Sequence, residues 1–159
     1  MTQKKMNLWP KIALYEPDIP QNTAAVIRTC SCLGGIVEII EPCGFIFSDK
    51  RFKRVVMDYL DEKMIKFYSS FDDFYKKKKN KKERIILMTT KAQNSYASFK
   101  FKNNDTILFG RESAGVPEKV HKSVSKRLKI PLIFKKRSLN LASSVAVVLA
   151  EIKRQNNFF

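Results

Sequence analysis

Short apolar runs rich in Ile, Val, Leu and aromatic residues alternate along the chain with stretches in which apolar residues recur at three and four positions. The runs predict strands at Ile12 to Tyr15, Ile36 to Ile40, Met64 to Tyr68, Arg84 to Met88, Thr106 to Phe109 and Leu128 to Ile130. Between them the pattern turns helical. A first helix is expected from about Gln21 to Leu33, entered through Pro20 and left at Gly34 and Gly35. A second is expected from Asp49 to Leu60, a third from Ser70 to about Lys79, and a last from about Asn140 to Gln155. In that last helix Leu141, Val145, Val148, Leu149 and Ile152 share one face, while Ala142, Ala146 and Ala150 form a small-residue stripe that permits close approach of another backbone. Strands alternating with helices from end to end predict an α/β fold, a mostly parallel sheet flanked by helices. The expectation is a single domain over residues 1–159, since neither a repeat nor a linker divides the chain.

Composition narrows the partners. With 44% hydrophobic residues in 159, the chain has the apolar material for one core, so disorder is not the expectation. Its 31 Lys and Arg against 15 Asp and Glu leave a net charge of +16, which favours a polyanionic partner. A membrane is the weaker candidate: the longest purely apolar run is Val145 to Ala150, far short of the roughly 18 residues of a spanning helix. Met1 to Pro10 lacks the apolar core of a signal peptide, so a cytoplasmic nucleic-acid partner is expected.

Cys30, Cys32 and Cys43 are odd in number and lack C-x-x-C spacing, so buried free thiols are expected, with neither disulfide nor metal. The single histidine, His121, sits among Lys119, Lys122 and Ser123 and reads as solvated. The run from Lys76 to Lys82, broken only by Asn80, reads first as a solvated, mobile turn and second as added attraction for RNA.

Three segments at strand-to-loop junctions carry candidate chemistry, because ligands of open α/β sheets bind at that edge. In Pro20 to Arg28, the residues three and four positions from Arg28 are Ala24, Ala25, Ser31 and Cys32, so no carboxylate on the helix neutralises the guanidinium and it is open to a phosphate. In Gly110 to Pro117, two glycines and a proline surround a lone carboxylate, Glu112, and imply a backbone bent closely around something. Val116 and Pro117 stand where a P-loop needs Lys and Ser or Thr, which removes an NTPase reading. In Lys135 to Leu141 a basic run meets a helix start that either Ser138 or Asn140 could cap.

In order and spacing these segments resemble the three motifs of the SPOUT methyltransferases, in the branch that modifies ribose 2′-hydroxyls. Within it, the chain is similar from about Ile12 to Gln155 to the short tRNA (cytidine/uridine) wobble-ribose methyltransferases, including Leu14-Tyr15-Glu16-Pro17-Asp18-Ile19-Pro20-Gln21-Asn22-Thr23 and Ile40-Glu41-Pro42-Cys43-Gly44-Phe45. The family often has Gly-Pro-Glu and Gly-Leu-Pro where this chain has Gly110-Arg111-Glu112 and Gly115-Val116-Pro117, so Arg111 is an added charge expected to face RNA.

The resemblance implies a C-terminal deep trefoil knot, which general topology rules would not suggest. It implies S-adenosyl-L-methionine as cofactor, S-adenosyl-L-homocysteine as product, tRNA as substrate and an obligate homodimer. Carried over residue by residue, it implies catalytic roles for Asn22, Arg28, Glu112, Ser138 and Asn140, and a cofactor pocket at Met88, Thr89, Gly110, Ile130, Ser138 and Leu139. The rival expectations are methylation of another tRNA or rRNA nucleotide, and a non-enzymatic RNA-binding protein. The latter lacks support from an RNP-type aromatic motif or a Gly-x-x-Gly clamp.

Overall fold

The computed structural model describes residues 9–56, 59, 61–133 and 138–158. Its six strands form one sheet: β1 (Lys11–Tyr15), β2 (Ile36–Ile40), β3 (Ile65–Tyr68), β4 (Ile85–Met88), β5 (Thr106–Phe109) and β6 (Lys126–Leu128), in the order β3-β2-β1-β5-β4-β6. Every pairing is parallel. Five helices cover it: α1 (Pro20–Leu33), α2 (Lys50–Val56), α3 (Phe71–Asn80), α4 (Glu118–Ser123) and α5 (Leu141–Gln155). This is the α/β architecture expected from the pattern.

Successive residues of a strand point to opposite faces, and here each face has its own helices. Ile12 and Leu14 of β1, with Val37 and Ile39 of β2, pack with residues of α1, α2 and α5. Ala13, Tyr15 and Ile40 pack with Phe71 and Phe74 of α3 and Val120 of α4. Because β1, β2 and β5 are buried on both faces along their whole length, they read in sequence as nearly unbroken apolar runs.

The element ends also have local causes. Pro20 opens α1, and Gly34 closes it at φ 76°, in the left-handed region where a side chain is strained. A Cβ on Gly34 would also lie 2.9 Å from Lys153 Nζ and 3.3 Å from the Trp9 ring. Ser70 caps α3 by accepting from the Asp73 N–H, and Asp72 and Asp73 in the first turn suit the positive end of the helix.

Several boundaries differ from the expectation. The last strand is Lys126–Leu128 and not Leu128 to Ile130; it lies at the sheet edge, where one flank needs no partner and basic residues are tolerated. Met64 belongs to a 3-10 turn before β3. The second helix is described over Lys50–Val56 and Tyr59 lies in a turn; the other residues of its expected end, 57, 58 and 60, lie outside the described residues. Helix α4, six residues long, has too few turns to show a period and was not expected. The trefoil knot depends on the path from β6 to α5, which passes through residues 134–137, outside the described residues, as do Lys135, Lys136 and Arg137.

The Lys76 to Lys82 run is no mobile turn over most of its length: α3 continues through Asn80, and Lys78 is 2% exposed. The Lys78 Nζ lies 2.8 Å from Glu38 Oε1 and 2.7 Å from Oε2, with Glu38 fully buried on β2, and it also donates to Glu83 at 2.8 Å. Tyr68 donates its hydroxyl to Glu38 at 3.0 Å, and Lys11 pairs with Glu83 at 3.3 Å. One lysine of the run is therefore a core residue, held by carboxylates that sequence distance conceals.

Removing one partner of such a pair leaves the other charged and buried. Lys78→Ala is expected to lower unfolding free energy by about 3 kcal/mol. Lys77→Ala, at an exposed i,i+4 pair with Asp73, is expected to change it by no more than about 0.5 kcal/mol. Urea denaturation of both variants checks the difference.

Candidate functional site

Because all strands run in one direction, the loops that follow β1, β4, β5 and β6 leave the same edge of the sheet. There they enclose a cavity of about 620 Å³. Asn22, Met88, Thr89, Gly110, Glu112, Ile130, Ser138, Leu139 and Asn140 all line it. These residues come from stretches far apart in the chain. Arg28 does not line it: its side chain is exposed on α1, with the guanidinium 4.9 Å from the centre of the Tyr59 ring. No acidic partner for Arg28 is found among the described residues, in keeping with its sequence neighbours.

The loop after β5 supplies the tightest geometry. Arg111 and Gly115 exchange backbone hydrogen bonds of 3.1 and 2.8 Å, closing the loop into a small ring. A Cβ on Gly110 would fall 2.6 Å from the Cα and carbonyl carbon of Gly115, and Gly115 itself sits at φ 67°. Both glycines are thus required by backbone geometry, and the loop presents backbone to the cavity.

At the tip of this loop Glu112 is not a lone carboxylate. Its N–H donates to Asp18 Oδ1 at 3.2 Å, and the Asp18 N–H donates to Glu112 Oε2 at 3.4 Å. The Ser113 hydroxyl donates to Asp18 Oδ2. Burial raises the Glu112 pKa above the usual carboxylate range, and the adjoining Asp18 carboxyl raises it further, against backbone N–H groups and the Asn22 amide, which lower it. Asp18 moves down, held by its hydrogen bond with Glu112 and by that from Ser113. Sequence reasoning quoted Asp18 within a motif without giving it a role. Only its place four residues before Asn22 marked it.

The helix starts meet beside this pair. Asn140, not Ser138, caps α5: its Oδ1 accepts from the N–H groups of Ala142 at 2.9 Å and Ser143 at 3.3 Å. Its Nδ2 donates to Asn22 Oδ1 at 2.9 Å, so the two amides join the N-terminal turns of α1 and α5. Both helix starts direct partial positive charge toward the cavity. On the other side Thr89 extends the β4–β6 contact, donating its N–H to the Leu128 carbonyl at 2.9 Å. The apolar wall comes from Leu87, Met88, Phe109, Ile130, Leu132 and Leu139.

Arg111, His121 and two of the three cysteines depart from the expectation. Arg111 forms an ion pair with Glu16 and lies 5.7 Å from the Tyr15 ring centre, so its charge is balanced within the protein. His121 is half-buried; its Nδ1 is 3.1 Å from an Arg127 nitrogen, and the ring also lines the cavity. Of the three cysteines Cys30 is buried, Cys43 half-buried and Cys32 exposed, because the last falls on the outer face of α1.

Comparison with known proteins accords with this geometry. Residues 10–150 match the model of the SpoU rRNA Methylase family, and the chain belongs to that family. A tRNA (cytidine(34)-2'-O)-methyltransferase of Beijerinckia indica is 48% identical over 144 residues, covering 91% of this chain and 90% of that one. Its counterpart in Ancylobacter novellus is 44% identical over 148 residues, covering 93% and 94%. A solved structure concerned with 2-OH methylation of C/U34 on tRNA superposes with a TM-score of 0.88 at 34% identity, over 95% of this chain and 98% of that one.

The glycine contact makes a direct test. Gly110→Ala is expected to cost about 1–3 kcal/mol through overpacking and to weaken binding of any ligand in the cavity. Thermal unfolding and ligand titration of this variant should move together, whereas Gly34→Ala, at a glycine whose added Cβ would meet Lys153 and Trp9 and no residue of the cavity lining, should affect stability alone.

Proposed function

We propose that this chain transfers a methyl group from S-adenosyl-L-methionine to the ribose 2′-hydroxyl of the wobble nucleotide of tRNA, position 34, a cytidine or modified uridine. The observation that carries this reading is the convergence of three distant segments on one cavity, in a chain similar over nearly its full length to enzymes of that activity. The net charge of +16 suits a polyanionic substrate.

The cavity fits the cofactor by its own features. Its volume of about 620 Å³ lies within the range of small-ligand sites. Its wall is apolar where an adenosine needs cover, and at Gly110 the backbone lies bare because a side chain has no room. Met88, Thr89, Gly110, Ile130, Ser138 and Leu139 are the residues we assign to holding it. When bound it supplies an electrophilic methyl carried on a sulfonium sulfur.

The protein's task is alignment and charge. Asn140, locked by its cap bonds and by Asn22, and Ser138 beside it, are assigned to the cofactor end and the substrate sugar. Arg28 is assigned to a substrate phosphate, which its planar fork of donors matches. A guanidinium stays protonated under ordinary conditions, so its contribution is electrostatic.

Arg28 lies outside its own subunit's cavity, which favours a homodimer in which it completes the partner's site. The half-buried Ala142, Ala146 and Ala150 face of α5 offers little side-chain bulk against such a partner. No helix among the described residues is long and apolar enough to cross a membrane, and a tRNA enzyme of this kind would act in the cytoplasm. The single SPOUT domain over 1–159 and its knot belong to this same reading.

Incubation with labelled cofactor and total tRNA, followed by mapping of the modified nucleotide, should find the label on the ribose at position 34. Arg28→Ala should abolish transfer while leaving cofactor affinity, measured by calorimetry, nearly intact. Mixing Arg28→Ala with Asn140→Ala should restore part of the activity through mixed dimers. Unchanged turnover in Arg28→Ala, or full activity in a monomer, would overturn the assignment.

A further inference from the structure

Methylation of a hydroxyl leaves a proton to be placed. Formation of the ribose O–CH3 bond as the S–CH3 bond breaks returns an electron pair to sulfur and frees the hydroxyl proton, so transfer is aided by a base in reach. Arg28 is not that base, for the reason already given. His121 lines the cavity and its buried Nε2 has no partner among the described residues, but its Nδ1 faces an Arg127 nitrogen at 3.1 Å that can only donate, so the ring carries its proton on Nε2, a donor and not an acceptor. Lys91, also in the lining, presents an ammonium group, which donates hydrogen bonds and accepts none.

The remaining titratable group of the lining outside the Arg111–Glu16 ion pair is Glu112. We propose, resting on the functional reading above, that Glu112 receives the proton of the reacting hydroxyl and that Asp18 is its positioning partner. The geometry is reciprocal: each carboxyl group accepts a hydrogen bond from the backbone N–H of the other residue. Glu112 Oε1 is buried and has no hydrogen-bond partner among the described residues, an unmet acceptor on a residue of the cavity lining.

Asp18 is fixed from three sides. Ser113 donates to its Oδ2, Glu112 to its Oδ1, and Gly44 packs so closely that a Cβ there would lie 2.9 Å from the Asp18 Cα and Cβ. The other charges on the packed loops, Arg111 and Glu16, neutralise each other, and Asn22 and Asn140 are neutral amides. Asp18 is therefore the charge that acts most directly on Glu112. Its pKa falls and that of Glu112 rises, so the pair keeps its negative charge on Asp18 and its proton affinity on Glu112.

The sign follows. Replacing Asp18 by a neutral residue removes a negative neighbour, so Glu112 should ionise at lower pH and become a weaker acceptor. In full-chain protein, the side-chain carboxyl carbon of Glu112 would be followed by NMR against pH in wild type, Asp18→Asn and Ser113→Ala. The wild-type titration should lie above the ordinary glutamate range. It should move down in Asp18→Asn and, by less, in Ser113→Ala, which only weakens the hold on the Asp18 anion and guards against loss of fold in the first variant.

With tRNA as substrate, the acid limb of kcat should move the same way, and the plateau rate in Asp18→Asn should fall about tenfold or more. A loop latch without a proton role would lower stability and move the Glu112 titration, but leave the acid limb of kcat in place. An active wild type whose acid limb of kcat is unmoved by either variant, whatever the Glu112 titration does, sinks the proposal alone. A wild type that transfers no methyl to tRNA ribose sinks the functional reading, and this proposal with it.

Discussion

The parallel direction of all six strands is the constraint on which the rest of the molecule depends. A parallel ladder needs a crossover after every strand; here α-helices make most of the crossovers and cover both faces, while the crossover from β4 to β5 carries only a 3-10 turn at Tyr96–Ser98. The consequence for function is geometric: the carboxyl ends of β1, β4, β5 and β6 share an edge, and the loops leaving them have nowhere to go but toward one another. The order in the sheet places β1 beside β5, so the Asp18 loop and the Glu112 loop meet although 94 residues separate the two side chains.

Backbone geometry and a helix cap shape one side of the cavity at that edge, opposite its apolar wall. The Gly110 to Gly115 ring excludes a Cβ at one glycine by contact and strains one at the other by its φ angle. Asn140 satisfies two of the free N–H groups of its helix and spends its own amide hydrogen on Asn22. Such groups are rigid before any ligand arrives, and rigidity of this kind is what alignment-dependent chemistry requires.

Charge plays two separate parts. The net excess of positive charge acts at long range and favours a polyanion. Individual charges, however, are sorted by burial: Lys78 is spent on Glu38 and Glu83 in the interior, Arg111 on Glu16, and Arg84 on Asp105. Arg28, exposed on α1 over the Tyr59 ring, has no such acidic partner among the described residues.

Local pattern carried most of the architecture. The central strands were legible because burial on both faces demands apolar residues throughout, and the long helices because α5 repeats its core face over 15 residues. Strand β6 and helix α4 were less so, since an edge strand admits Lys126 and Arg127 and a six-residue helix has no room for a period. The candidate residues of each motif could also be read in order, because glycine, amide and guanidinium carry their chemistry with them. What the tertiary structure decided was which of them meet: Asn22 with Asn140, 118 residues apart, Asp18 with Glu112, and Lys78 with a buried Glu38. Those pairings depend on strand order and register, which are set by the packing of the whole sheet and leave no mark in the spacing of the residues themselves.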